Sequence, residues 1–194
     1  QVLHDTGLDQ ATLGLRLQPD ALGLLPPDDA VIAALASTAD LKWLVRLAAC
    51  LDSNVIRDAR SGRDVAGRLA KRLRLSRAER RYLFSLCEGA AQISTGDHLA
   101  GHGWQRVAWF LHQAGGDPAA IYIASMARNG QAVSARRMGE LASWCPPECP
   151  VTAADLLSHG VDKGPNLGDM LSEIEWRWVM QDFTPTREEL LAKL

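Results

Sequence analysis

No apolar run in this chain approaches the ~20 residues needed to cross a bilayer, and its start lacks the basic flank, apolar stretch and small-residue cleavage site of a signal peptide. A soluble, cytoplasmic protein with no membrane partner is therefore expected. Cysteine is scarce: Cys50, Cys87, Cys145 and Cys149 are scattered, two of them in strongly apolar text, which excludes a disulfide framework. Charge of one sign is also scarce, with a net charge of -2, which excludes a uniformly basic nucleic-acid binder. Period-two alternation is rare and the β-branched residues never cluster, which excludes a sheet protein. What remains is 194 residues, 47% apolar and 23% charged, enough for one large domain or two small ones.

Apolar residues recur three and four apart almost throughout, so the fold class is all-α, with about ten short helices in an elongated multi-helical array. The periodicity predicts helices over 28–36, 40–51, 62–74, 77–91, 103–114, 118–128, 131–143, 153–159, 166–181 and 186–193. Free amides at helix starts need acceptors, and Ser76 with Glu79, Thr152 with Asp155 and Thr186 with Glu189 have capping-box spacing. Asp117-Pro118 and Thr184-Pro185 each pair a capping side chain with a proline suited to the first helical position. Gly160 reads as a left-handed stop, and Gly115-Gly116-Asp117 as a stop followed by a cap rather than a phosphate loop, because a helix and not a strand precedes it.

Two stretches interrupt the pattern: Ile93 to Gly103, rich in glycine and polar residues, and Cys145-Pro146-Pro147-Glu148-Cys149-Pro150. They predict a helical region 1–92, a second over 93–194, and a C-terminal unit 151–194 within the latter. The chain begins at Gln1 with text already partly apolar and periodic, so it reads as a piece of something longer.

Charge is unevenly spread. Between Arg57 and Arg81 ten cations face Asp58, Asp64 and Glu79, a local charge of +7 that leaves -9 for the remainder of the -2 total. At 100° per residue Val65, Ala66, Leu69, Ala70 and Leu73 share one side of a helix, with Arg68, Lys71, Arg72 and Arg74 on the other. Arginine outnumbers lysine nine to one here, and its planar fork suits bidentate phosphate contact. A phosphate-backbone track and a solvated face balanced by acidic neighbours both fit this pattern.

Other chemistry is poorly supported. His98 and His102 have a metal-compatible spacing but lack the intervening glutamate of a metalloprotease helix, and Cys145, Cys149 and His159 have no second ligand pair at a sensible distance. His4, His112 and His159 have no partners in a nucleophilic pattern. No catalytic residue and no metal ligand is assigned. Of the six tryptophans, Trp104 follows core spacing, while Trp176 and Trp178, two apart, point to different sides of their helix, so that one is partly exposed.

The C-terminal text is more specific: Thr152, Asp155-Leu156-Leu157, Gly160-Val161, Gly164-Pro165, Leu167-Gly168, Leu171, Glu175, Trp178, Phe183, Arg187-Glu188 and Leu190-Leu191. It resembles the C-terminal region of bacterial CCA-adding tRNA nucleotidyltransferases, the family that includes poly(A) polymerases. Arg72-Leu73-Arg74-Leu75-Ser76 with Ala78-Glu79-Arg80-Arg81 resembles that family's helical middle section, so the similarity spans most of 40–194. The resemblance implies a neck, body and tail that hold a tRNA acceptor region. It also implies a separate N-terminal catalytic domain that uses Mg²⁺ with CTP or ATP.

That domain's Asp-x-Asp pair is absent from these residues, so this chain alone is expected to be inactive and to hold no cofactor. RNA contacts are expected at Arg68, Lys71, Arg72, Arg74, Arg77, Arg80, Arg81, Lys163 and Gly164, the last two because Gly164-Pro165 opens a helix whose amides face a phosphate. The competing reading of the Gly160–Gly168 region is a turn where Gly168 permits close helix packing. For the whole chain the alternative is a helical protein-interaction or dimerisation module with no RNA role. Neither CCA nor poly(A) specificity nor oligomeric state is legible.

Overall fold

The computed structural model describes residues 5, 7–27, 35, 39–93 and 103–192. Most of the helix expected over 28–36, the stretch 94–102 with His98 and His102, and His4 lie outside the described residues. The fold is all-α. Among the described residues the extended backbone pairs only in an isolated antiparallel bridge between Leu17 and Leu51.

The elements are α1 (Leu8–Leu13), 3-10 turns at Pro19–Leu24 and Ala39–Leu41, α2 (Lys42–Ala49), α3 (Ala59–Arg72), α4 (Arg77–Ile93), α5 (Trp104–Gln113), α6 (Pro118–Arg128), α7 (Ala135–Ser143), α8 (Ala153–Ser158), α9 (Pro165–Met180) and α10 (Arg187–Leu191). α1 and the turn after it were not foreseen, because six-residue elements are too short to show a period.

Capping chemistry explains most boundaries. α4 starts where expected: Ser76 N–H donates to Glu79 Oε2 at 2.8 Å and Glu79 N–H to Ser76 Oγ at 3.3 Å. Asp117 Oδ1 accepts from the amides of Ala119 and Ala120, both at 3.1 Å, ahead of Pro118. α3 begins three residues before the expected 62, since Asp58 and Ser61 form a reciprocal box in which Asp58 Oδ1 accepts from Ser61 N–H at 2.7 Å and Ser61 Oγ from Asp58 N–H at 3.0 Å. α7 begins at Ala135 rather than 131, because Ser134 caps it by accepting from Arg137 N–H. Thr184-Pro185 stays outside α10: the Thr184 hydroxyl donates back to Gln181 O at 2.7 Å, and Thr186 with Glu189 caps the helix instead.

The chain divides into two compact units, Gln1–Trp144 and Cys145–Leu194, at the start of the proline-bearing segment. Helices from both sides of 94–102 share the first unit's core. At its centre is α6, where Ala119 to Ser125 are all buried, packed against α2, α4 and α7. Leu44, Val45 and Ala48 of α2, Val65, Ala66 and Leu69 of α3, and Leu83, Leu86 and Cys87 of α4 complete it. A helix buried on every side serves as an axle for the others.

α3 and α4 form an antiparallel hairpin, since Gly62 near the start of one meets Cys87 late in the other. A Cβ on Gly62 would lie 2.5 Å from the Cys87 carbonyl oxygen, so this approach requires glycine. In the second unit Val151, Leu156, Ile174, Trp178, Val179, Leu190 and Leu191 are buried. Trp178 and Phe183 meet edge to face at 5.0 Å, and Arg187 of α10 pairs with Asp155 of α8 at 2.5 Å. Trp176 is 55% exposed, as the two-residue offset from Trp178 requires.

Candidate nucleic-acid interface

The hairpin sorts its residues as the helical pattern predicts. Val65, Ala66, Leu69 and Ala70 are buried and Leu73 is half-buried, while Arg68, Lys71, Arg72, Arg74, Arg77, Arg80 and Arg81 are all exposed. Two of the segment's three carboxylates are engaged elsewhere. Asp58 caps α3 and Glu79 caps α4, and both are held below the ordinary carboxylate range by hydrogen bonds, to Ser61 in the first case and Ser76 in the second. They compensate helix amides rather than arginines, so the exposed side of the hairpin stays cationic.

The cations divide by what they touch. Arg63 pairs with Glu88 across the hairpin at 2.7 Å, and that carboxylate raises its pKa. Arg72 reaches the N-terminal segment: its Nη1 donates to Thr12 O at 2.9 Å and Ala11 O at 3.4 Å, carbonyls in the last turn of α1. Its guanidinium also lies 3.0 Å from where a Cβ on Gly14 would stand. Arg72 therefore caps α1 as well as carrying charge, a role that sequence spacing could not reveal. Arg80 lies over the Phe84 ring at 5.5 Å, one helical turn away. Arg68, Lys71, Arg74, Arg77 and Arg81 form no ion pair with a carboxylate among the described residues.

Arg74 occupies the turn of the hairpin in the left-handed region, with φ of 52°. Leu75 N–H donates to Ala70 O at 3.0 Å and closes a Schellman-type helix end, a position where glycine is usual. The backbone thus holds an arginine at the tip of the cationic hairpin at a conformational cost of roughly 1–2 kcal/mol.

Lys163 and Gly164 belong to the other unit, so the structure does not gather all the expected contacts onto one element. Lys163 is exposed, and α9 starts at Pro165 without a side-chain cap. Gly160 takes φ of +87° and Val161 N–H donates to Leu156 O at 3.1 Å, the expected left-handed stop. Gly168 meets nothing within 4 Å, so the expectation that it permits close helix packing is corrected: that face of α9 is open.

No group of three or more His, Cys, Asp or Glu side chains that could hold a metal occurs among the described residues. His159 instead places Nδ1 2.9 Å from the Asp155 carbonyl oxygen. The Cys87 thiol is fully buried, which pushes its pKa up to about 12. No helix among the described residues is long and apolar enough to cross a membrane.

Compared with protein-family models, curated proteins and solved structures, the chain matches none. The functional reading therefore rests on its own residues.

Proposed function

We propose that this chain is a non-catalytic RNA-binding region of a CCA-adding or poly(A)-adding nucleotidyltransferase, positioning a tRNA acceptor stem for chemistry carried out by a separate catalytic domain. The observation that supports this reading is the α3–α4 hairpin, which packs one side into the core and offers Arg68, Lys71, Arg74 and Arg77 on the other with no carboxylate partner among the described residues. A duplex RNA stem presents phosphates and 2′-hydroxyls on a regular surface, and arginine forks on a rigid helical support match that display. On this reading Mg²⁺ and the nucleoside triphosphates belong to the catalytic domain, and no catalytic step is assigned here.

The test is a salt titration of binding to a tRNA acceptor stem. The logarithm of affinity should fall against that of salt with a slope of roughly -0.9 per phosphate neutralised. Changing Arg68, Lys71 and Arg77 together to Ala should make the slope shallower by about two to three with the thermal transition nearly unmoved, since exposed unpaired charges contribute little to folding. Arg72 is left intact in that variant because of its bonds to α1. Unchanged affinity and slope in a folded triple variant would reject the RNA reading and leave a protein-interaction module in its place.

A further inference from the structure

At one end of the cationic hairpin the first turns of α4, the end of α5, the start of α6 and the end of α7 enclose an open cleft of about 390 Å³. Its walls carry two donors of positive or polar character, Arg81 of α4 and His112 of α5, and aromatic and aliphatic surface from Tyr82, Leu141 and Trp144. That volume lies within the ~300–1,000 Å³ of small-ligand sites, and the mix of apolar walls with a few convergent polar groups is their usual chemistry.

The polar groups select an anion. Arg81 and His112 are exposed, and neither engages a carboxylate among the described residues. Asp117, the one carboxylate of the wall, accepts from Ala119 N–H and Ala120 N–H, so its charge is directed into the start of α6. The Gly115 and Gly116 amides donate to His112 O and Leu111 O, both at 2.8 Å, and are not available to a ligand. Anion contact therefore falls to the Arg81 fork and the His112 ring.

The aromatic wall selects what the anion is attached to. Trp144 is half-buried and fixed by an edge-to-face contact with Trp104 at 6.0 Å, and Arg137 lies over the Trp104 ring at 5.0 Å. An indole fixed in this way, in the same cleft wall as Arg81, is suited to a flat ring bearing a phosphate.

We propose that this cleft binds a nucleoside phosphate, its base against Trp144 and its phosphate at Arg81 and His112. The nucleotide has two possible sources, a free mononucleotide or an unpaired nucleotide of an RNA, and only the second rests on the RNA reading above. Gly115 supplies a gentle way to block the site. Its φ of +76° needs a residue tolerant of the left-handed region, and a Cβ there meets nothing within 4 Å. Asn tolerates that conformation and would project a side chain at the rim of the cleft.

The experiment is calorimetric titration of the full chain with AMP, CMP, inorganic phosphate and a short single-stranded oligoribonucleotide. The same titrations are run on Arg81→Ala, His112→Ala and Gly115→Asn, with folding of each verified by circular dichroism. AMP or CMP should bind more tightly than phosphate and weaken about tenfold in Arg81→Ala, the loss expected of a charge-assisted hydrogen bond, with smaller losses in the other two. Weakening of the mononucleotide alone identifies a free nucleotide as the ligand, and weakening of both identifies RNA as a source. Phosphate binding as well as AMP overturns the nucleotide assignment. Failure of AMP, CMP and the oligonucleotide to bind, or binding insensitive to all three variants, overturns the site while leaving the acceptor-stem titration to decide the hairpin's role separately.

Discussion

The first unit is organised around a buried helix, whereas the second is tied at the ends of its helices. In Gln1–Trp144 the side chains of α6 meet α2, α4 and α7, and glycine makes room for close packing: a Cβ on Gly62 would stand 2.5 Å from the Cys87 carbonyl oxygen and one on Gly89 2.6 Å from Ile121 Cδ1. In Cys145–Leu194 three helices of 6, 16 and 5 residues carry capping boxes on the two short ones, an Arg187–Asp155 pair and one aromatic clasp. The difference follows from size, since a unit of fifty residues buries too little surface to rely on packing alone. Local hydrogen bonds and a few large side chains carry a larger share of its stability. The lesson is that the same residue change has opposite consequences in the two units, and five substitutions probe this, from the largest effect to the smallest.

Trp178→Ala removes the centre of the second unit, and truncating a buried Trp costs about 3–5 kcal/mol. Thermal melting should show the 145–194 unit losing structure well below the temperature at which the wild type does. A shift of only a degree or two would mean that caps and ion pairs suffice without the clasp, and would break the comparison.

Gly62→Ala and Gly168→Ala form a pair. At Gly62 the new methyl meets backbone 2.5 Å away, which cannot move aside as a side chain can, so a destabilisation of about 1–3 kcal/mol is expected. At Gly168 the space is open and the same substitution should stabilise by about 0.5–1 kcal/mol through helix propensity. Denaturant melts that moved both variants in one direction would erase the contrast between packed and open helix faces.

Arg74→Gly relieves the left-handed strain at the hairpin turn, offset by the greater freedom of glycine in the unfolded chain, for a net gain of roughly 0.5–1 kcal/mol. If the proposed RNA reading holds, affinity for the acceptor stem should nonetheless fall. A variant that gained stability and kept full affinity would remove Arg74 from the interface.

Asp155→Asn gives the smallest effect, a modest loss that is present at neutral pH and fades in acid. The Arg187 hydrogen bond, followed by those to Thr152, holds the Asp155 carboxyl well below its ordinary range. A depressed folded-state pKa contributes stability above the unfolded value of about 3.9, and that stability is lost as pH falls through the folded value. Between roughly pH 4 and 2 the wild-type second unit should lose stability more steeply than the variant. Parallel pH profiles would show that the pair does not support the unit.

Much of this arrangement is legible in the sequence where its cause is local. The buried face of α3, the Ser76–Glu79 and Asp117-Pro118 caps and the Gly160 stop all arise from residues within a turn of one another. Legibility ends where the cause is distant. Arg72 contacts a carbonyl sixty residues earlier, and the need for glycine at 62 comes from a carbonyl on another helix. In a charged helix, Gly62 reads only as a weak helix former. The cleft is equally invisible, because His112 and Trp144 gain chemical meaning only when four helix ends bring them beside Arg81.

The closest approach in the hairpin also keeps time. Cys87 sits at the point where Gly62 lets α3 touch α4, its thiol inaccessible and held almost wholly in the unreactive protonated form. An alkylating reagent can reach that sulfur only when the core packed around α4 opens, whereas Cys145 is already exposed. The rate at which Cys87 is labelled, read against Cys145 in the same molecule, is therefore a clock for the opening of the core on which the arginine-bearing hairpin packs. Any ligand that clamps the hairpin shut will slow it.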